Sequence, residues 1–283
     1  MYWYVDCAST HIIKLCRRIH ANVFSLKIDY YYCKQIFKPM MVKAVREIKK
    51  GMFPIFRRIS MGPQVGLGVA GSGFFVSNDG VFVTTAHIFD GADAQTQFIY
   101  YGRLPENLQN PPLQIQELAR DNNNDIYIGR IALANTDFLR FSNVVAEVGQ
   151  TVCIAGYPLA RITLNAQGGF ELSGVRRYFQ PSFILDHGEA NADNGQGVIR
   201  THRGFLIRDF GLFGMSGGPV VDIEGRIIGM QASVTDPRES TNGTRTITVE
   251  NALAINNNRI VEMLEANGIG YAIDATNNTV TEP

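Results

Sequence analysis

At 283 residues, 45% of them hydrophobic and only 18% charged, the chain has enough apolar content to bury a sizeable core, which excludes a disordered or low-complexity protein. Its formal net charge is +0, and no nucleic-acid partner is expected. The charge is unevenly placed, however: residues 1–60 carry 12 Lys or Arg against 3 Asp or Glu, and no Lys follows Lys50.

That shift marks residues 1–52 as a basic N-terminal extension, expected to be partly helical or disordered. Three of the four cysteines, Cys7, Cys16 and Cys33, lie in it, and only Cys153 lies in the body, so no disulfide framework is expected for the main domain. The chain has no run of eighteen apolar residues, and its N-terminus has no clean signal-peptide pattern. Together with Cys153, this leans towards an intracellular setting. In MMVKAVREIKK (40–50), Met41, Val45 and Ile48 fall at helical spacing. Such a basic amphipathic helix can lie on a membrane. Capping a β-domain is the expectation here, and membrane association of the extension is unsupported by anything else.

From Phe53 onward the texture is β. FPIFRRIS reads as a strand. GSGFFVSNDGVFVTTAHIF holds two strand-like runs joined by Asn78-Asp79-Gly80, a hairpin signal. Further strands are expected at 96–102, 113–120, 125–133, 150–157, 197–202, 218–223, 225–233 and 244–249. Short strands between Gly, Pro and Asn turns argue for barrels or sandwiches. DHGEANADNGQG (186–197) reads as a mobile loop. NNNRIVEMLEANG (256–268) reads as a helix with an Asn start and an Asn267-Gly268 stop. Residues 271–283 read as a tail.

GMSGGPV (214–220) raises the chemical question. Gly214-Met215-Ser216-Gly217-Gly218 fits G-x-S-x-G, the nucleophile elbow of α/β-hydrolases. In that fold the His follows the Ser, but the five histidines are His11, His20, His87, His187 and His202, all upstream. A Ser–Lys pair fails because the body has no Lys. The order His, Asp, Ser survives. His87, on a short Ala-His corner after Val83-Thr84-Thr85, is the candidate base. Asp125 opens the apolar run DIYIGRI and is preferred as the acid over Asp121, whose DNNN setting is a turn. Gly214 can adopt backbone angles closed to other residues, so its N–H and that of Ser216 can converge on a developing oxyanion.

TTAHIF, DIYIGRI, GYPLA (156–160) and GMSGGPV, in this order, resemble the trypsin-like serine peptidases, above all the bacterial protease domain of HtrA/Deg proteins. The resemblance runs from about residue 55 to 268, and no PDZ-like domain is expected after it. It implies an all-β, chymotrypsin-like fold of two six-stranded antiparallel barrels, a first at about 53–145 and a second at about 146–255, with the closing helix 256–268. It implies His87, Asp125 and Ser216 as base, orienting acid and nucleophile, and an oxyanion hole at Gly214 and Ser216. It sets Phe210 at the base of a specificity pocket, with Gln231, Ala232 and Ser233 along its wall. No Asp stands at that base, so Arg or Lys specificity is not expected. Phe210 either fills the pocket, favouring small or medium apolar side chains, or is simply core.

Met215 occupies the position where the animal branch has an Asp that receives a new N-terminal amine, so activation by such an ion pair is not expected, and changes near residue 55 should leave activity intact. The implied function is a serine endopeptidase acting on protein or peptide substrates, with no cofactor and no metal. Two alternatives remain: a silent binding or scaffold protein on the same fold, and a protease latent until the segments 186–197 and 209–215 are ordered.

Overall fold

The computed structural model describes residues 41–61, 64–91, 96–100, 102, 111–158, 161–164, 170–193, 199–209, 211–234 and 251–274. The strand expected at 244–249, Phe210 and the cysteines of the first forty residues lie outside them. All the described residues belong to one unit, Met41–Pro283.

Helix α1 (Val42–Gly51) leads directly into β1 (Met52–Met61). Then come β2 (Gln64–Phe75), β3 (Val81–Thr85), a single 3₁₀ turn (Ala86–Phe89), β4 (Gln97–Tyr100), β5 (Leu113–Asp121) and β6 (Ile126–Ile131). These six strands close into a barrel in the order β1-β2-β3-β6-β5-β4. The Asn78-Asp79-Gly80 signal forms the β2–β3 connection, in which Val76 N–H donates to Val81 O across 2.9 Å and Gly80 has φ +83.

The second half carries β7 (Phe141–Ser142), β8 (Thr151–Gly156), the small hairpin β9 (Arg161–Leu164) and β10 (Phe170–Ser173), β11 (Tyr178–Asp193), β12 (Ile199–Ile207), β13 (Pro219–Val221), β14 (Ile227–Val234) and β15 (Ala252–Asn256). Helix α2 (Asn257–Ala266) and β16 (Ile273–Asp274) follow. The sheet runs β13-β8-β11-β12-β15-β14-β7-β16, and β13 also pairs with β14. That extra pairing closes a second ring of six strands, with β7 and β16 added in parallel outside it. The all-β, two-barrel architecture is therefore present.

Strand alternation distributes the apolar residues. Phe53, Ile55, Phe75, Phe82, Tyr127 and Ile131 fill the first barrel. On β8, Val152 and Ile154 face the second barrel's core while Cys153 and Ala155 face a layer that includes Ala44 and Ile48 of α1. Both faces of β8 are thus buried, which is why QTVCIAGY reads as an unbroken apolar run. The α1 helix does cap the β-domain. Cys153 is fully buried, and that burial pushes its thiol up to about 11, so it is a packing residue. A fourth cluster joins Val81, Val83, Ile126 and Ile128 of the first barrel to Ile227, Met230 and Ile255 of the second, under Ile260 and Leu264 of α2. Helix α2 stops where expected: Gly268 has φ +65, its N–H donates to Glu265 O, and Ile269 N–H donates to Leu264 O.

One expectation is corrected. Residues 186–193 are not a loop but the outer arm of β11, paired residue by residue with β12 from His187↔Phe205 to Asp193↔Ile199. Residues 186–189 are exposed, and the arm's polar, Gly-containing sequence carries no apolar alternation to betray it. The chain also stays in register beyond the closing helix, with Ile273 and Asp274 beside Phe141 and Ser142.

Phe53 lies at the centre of the first barrel, with ring centroids 4.4 Å from Phe75, 5.2 Å from Phe82 and 5.2 Å from Tyr100. Phe53→Ala should destabilise the protein by about 3–5 kcal/mol, read from urea unfolding. Val145→Ser, at a residue 71% exposed, should stay within about 0.5 kcal/mol of the parent.

Candidate functional site

The 3₁₀ turn after β3 carries His87, and the β5–β6 turn carries Asp125. Asp121 organises that turn: its carboxylate accepts from Asn123 N–H (2.9 Å), Asn124 N–H (3.0 Å) and Asn124 Nδ2 (2.6 Å). This is the backbone role its sequence context implied. Asp125 then adopts φ +58, a left-handed conformation uncommon for a non-glycine residue, and its side chain is turned inward to zero exposure.

Nδ1 of His87 meets Asp125 Oδ2 at 2.7 Å, and His87 backbone N–H donates to Asp125 Oδ1 at 2.8 Å. A third bond, Ala86 N–H to Asp125 O at 3.2 Å, ties the two turns together. The imidazole is therefore held by ring and backbone at once. The second barrel supplies two more partners, neither expected from the sequence. His202 Nε2 lies 3.0 Å from Asp125 Oδ2, and Arg200 Nε lies 3.3 Å from Oδ1. The Arg200 guanidinium also pairs with Asp90 at 2.7 Å, and Arg120 pairs with Asp90 at 2.9 Å.

Burial alone would push the Asp125 carboxyl up. Hydrogen bonds from His202 and His87, together with their charge, outweigh it and hold the group well below the ordinary carboxylate range. Because the folded value lies below the unfolded one, the stability Asp125 contributes is complete above about pH 4. It is lost as the pH falls below that towards the folded value.

Ser216 lies on the loop before β13. Its Oγ donates to Ala232 O at 3.5 Å, its one hydrogen-bond partner among the described residues. Its carbonyl accepts from Ser72 N–H at 2.8 Å. A Cβ on Gly71 would come within 2.9 Å of Ser216 O and 3.0 Å of the Ile88 side chain. The Ser216 loop and the His87 turn thus converge on one point of β2. Gly217 shows the same closeness: with φ +79, a Cβ there would lie 2.0 Å from Thr84 Oγ1 and 2.3 Å from Ser72 O. Only glycine fits where the two barrels touch.

Gly214 has φ +92. Neither its N–H nor that of Ser216 has an acceptor among the described residues. Met215 between them is fully buried in the second barrel's core. The loop is held from the first barrel by Ser72, whose Oγ donates to Gly214 O (2.7 Å) and accepts from Tyr157 N–H (2.9 Å). Ser72 O in turn accepts from Thr84 Oγ1 at 2.7 Å. Phe213, next to Gly214, is 99% exposed.

Of the residues expected along a pocket wall, Gln231 and Ala232 are buried. Gln231 O accepts from Gly217 N–H at 2.8 Å. Ser233 is half-buried, with its Oγ 3.0 Å from His202 Nδ1. Phe210 lies outside the described residues. His202, Arg200 and Ser72 are not singled out by any local sequence pattern. His202 and Arg200 stand two apart on one strand, and therefore on one face. That spacing was legible, but not what the face looks upon.

The description "Trypsin-like peptidase domain" matches residues 71–230. Among curated relatives, uncharacterized protein y4bJ of Sinorhizobium fredii is 29% identical over 168 residues, which cover 59% of this chain and 22% of that protein. The chain therefore spans about a fifth of that relative's length. Among solved structures, the active form of the Rv3671c protease from M. tuberculosis aligns with a TM-score of 0.56 at 20% identity, covering 84% of this chain and 90% of that one. A serine endoprotease from Yersinia pestis aligns at 0.53 and 18%, covering 80% and 65%. The HtrA-type protease AlgW with decapeptide aligns at 0.55 and 17%, covering 80% and 67%.

Replacing Ser72 by Ala would strand Gly214 O and Tyr157 N–H and free the Gly214 peptide to turn. The expected outcome is a loss of about 1–3 kcal/mol of stability and a fall in kcat of about 10-fold or more. Urea unfolding and peptide hydrolysis measure the two effects separately.

Proposed function

Because this chain belongs to the trypsin-like peptidase domain family, we infer that it is a serine endopeptidase working through His87, Asp125 and Ser216. The observation that carries this reading is the 2.7 Å contact of His87 Nδ1 with the buried Asp125 carboxylate. A carboxylate only accepts hydrogen bonds, so Nδ1 carries a proton and Nε2 of the neutral ring is left to accept one.

Ser216 Oγ attacks the substrate carbonyl carbon while its proton passes to His87 Nε2. The resulting imidazolium keeps its Nδ1–H on Asp125. The carbonyl oxygen, now negative, is received by the unpaired N–H groups of Gly214 and Ser216. Collapse breaks the C–N bond as His87 Nε2 hands its proton to the leaving amine, which leaves an acyl-enzyme on Ser216. Water attacks that ester and gives a proton to His87, which returns it to Ser216 as the acid departs. The substrate is a protein or peptide. Phe210 lies outside the described residues; set at the pocket base, as the resemblance implies, it would favour a small or medium apolar side chain before the scissile bond, and as a core residue it would set no preference.

A second reading is favoured by one observation: Ser216 Oγ is bonded to Ala232 O. In this reading the protein is latent until substrate turns the hydroxyl onto His87.

A serine-directed fluorophosphonate tests both readings. Wild-type protein should be labelled at Ser216, and Ser216→Ala should not. Labelling that needs an added peptide favours the latent form. No labelling under any condition would sink both and leave a binding protein on a protease fold.

Met215 is buried and offers no acceptor for an amine, and β1 continues without a break from α1. Residues 52–56 are buried barrel strand, so cleavage there would act on the barrel's core. The full-length protein should hydrolyse peptides without processing at that point, and cleavage within 52–56 should abolish activity. Mass spectrometry of the active species checks both.

A further inference from the structure

One buried histidine is left over by this mechanism. His202 is 1% exposed and sits on the second barrel's β12, beside the acid of a site whose base and acid both come from the first barrel. Its strand is brought to Asp125 by a backbone bond: Thr201 N–H donates to Asn123 O at 2.9 Å, two residues before the acid. Alternation along β12 then turns Arg200 and His202 to the same side, and both reach the Asp125 carboxylate.

The atoms define the role. Asp125 Oδ2 lies 2.7 Å from His87 Nδ1 and 3.0 Å from His202 Nε2. The carboxylate can only accept, so His202 Nε2 carries a proton. In the neutral ring Nδ1 is then an acceptor, and Ser233 Oγ, 3.0 Å away, can donate to it. Every polar atom of the buried ring has a partner.

We propose that His202 is a positioning residue for the Asp125 carboxylate. Its Nε2–H locks Oδ2 in the plane that receives His87 Nδ1–H, and Ser233 holds the ring in place. The proposal rests on the reading of His87, Asp125 and Ser216 as the working triad. It adds that the acid is oriented from both barrels. Rotation of the carboxylate would break the bond to one histidine as it improved the bond to the other, so the two histidines fix one another through a shared oxygen. Ser233 lies on β14 with Gln231 and Ala232, so the lock ends on the strand beside the nucleophile.

Two measurements test this. The first is the hydrolysis of a peptide substrate, with fluorophosphonate labelling of the same proteins. His202→Leu should lower kcat by about 10- to 100-fold, the scale of a misplaced catalytic group, with KM within about two-fold of the parent. His202→Gln, which keeps a side-chain N–H donor, should recover most of that loss. Unchanged kcat in the Leu variant overturns the proposal. So does a Gln variant no better than Leu, or labelling of Ser216→Ala at Ser233, which would make His202 the base of a second nucleophile.

The second measurement needs no variant to fold well. In ¹⁵N-histidine spectra of the wild-type protein at neutral pH, His202 should be protonated at Nε2 and hydrogen-bonded, alongside the His87 Nδ1–H signal. Protonation of His202 at Nδ1 alone overturns the proposal even if Ser216 is fully reactive. Failure of wild type to label at Ser216 with His202 protonated at Nε2 overturns the triad reading, and with it any catalytic role for the lock.

Discussion

A carboxylate at zero exposure dominates this molecule's construction. Asp125 is ionised in a place where water cannot solvate it, and an unpaired charge there would be very costly. The fold meets that constraint by converging donors on it: His87 through ring and backbone, His202 through its ring, and Arg200 alongside. Two of those groups come from the first barrel's own turn and two from the second barrel. The acid is therefore satisfied only when the barrels are docked, and the docking is polarised around it.

A second seam runs parallel to the first. Ser72, on β2, bonds to Ser216 O, Gly214 O, Tyr157 N–H and Thr84 Oγ1. Glycines at 71, 214 and 217 allow the backbones to come close enough for those bonds. Around this polar centre, the apolar cluster under α2 joins residues of both barrels. The division of labour is physical. Apolar burial supplies the non-directional attraction between the barrels. The hydrogen bonds of Ser72 and Asp125 set the register in which they meet, and with it the position of Ser216 relative to His87.

Much of this was legible in the chain. The hairpin at 78–80, the apolar runs of β3, β6 and β8, and the α2 helix with its glycine stop all have strong local causes: turn chemistry, two-sided burial and capping. The order His87, Asp125, Ser216 also stands in the primary structure, as does the contrast between Asp125 before an apolar run and Asp121 in a turn. The outer arm of β11 was not legible, because a polar, glycine-containing segment carries no apolar alternation. Nor were β7 and β16, two residues each, which are defined by pairing across the fold, β7 with β14 and β16 with β7.

What the sequence by itself determined is the set of elements and the chemical alphabet of the site, because turns, alternation and caps act over a few residues. What only the tertiary structure decided is which polar groups share an atom. In the sequence His202 is one of five histidines, and Ser72 is a serine between two glycines. Each acquired its role from a partner more than seventy residues away, since the donors of a buried charge are chosen by proximity in space. Local pattern has no access to that proximity until the two barrels have closed against each other.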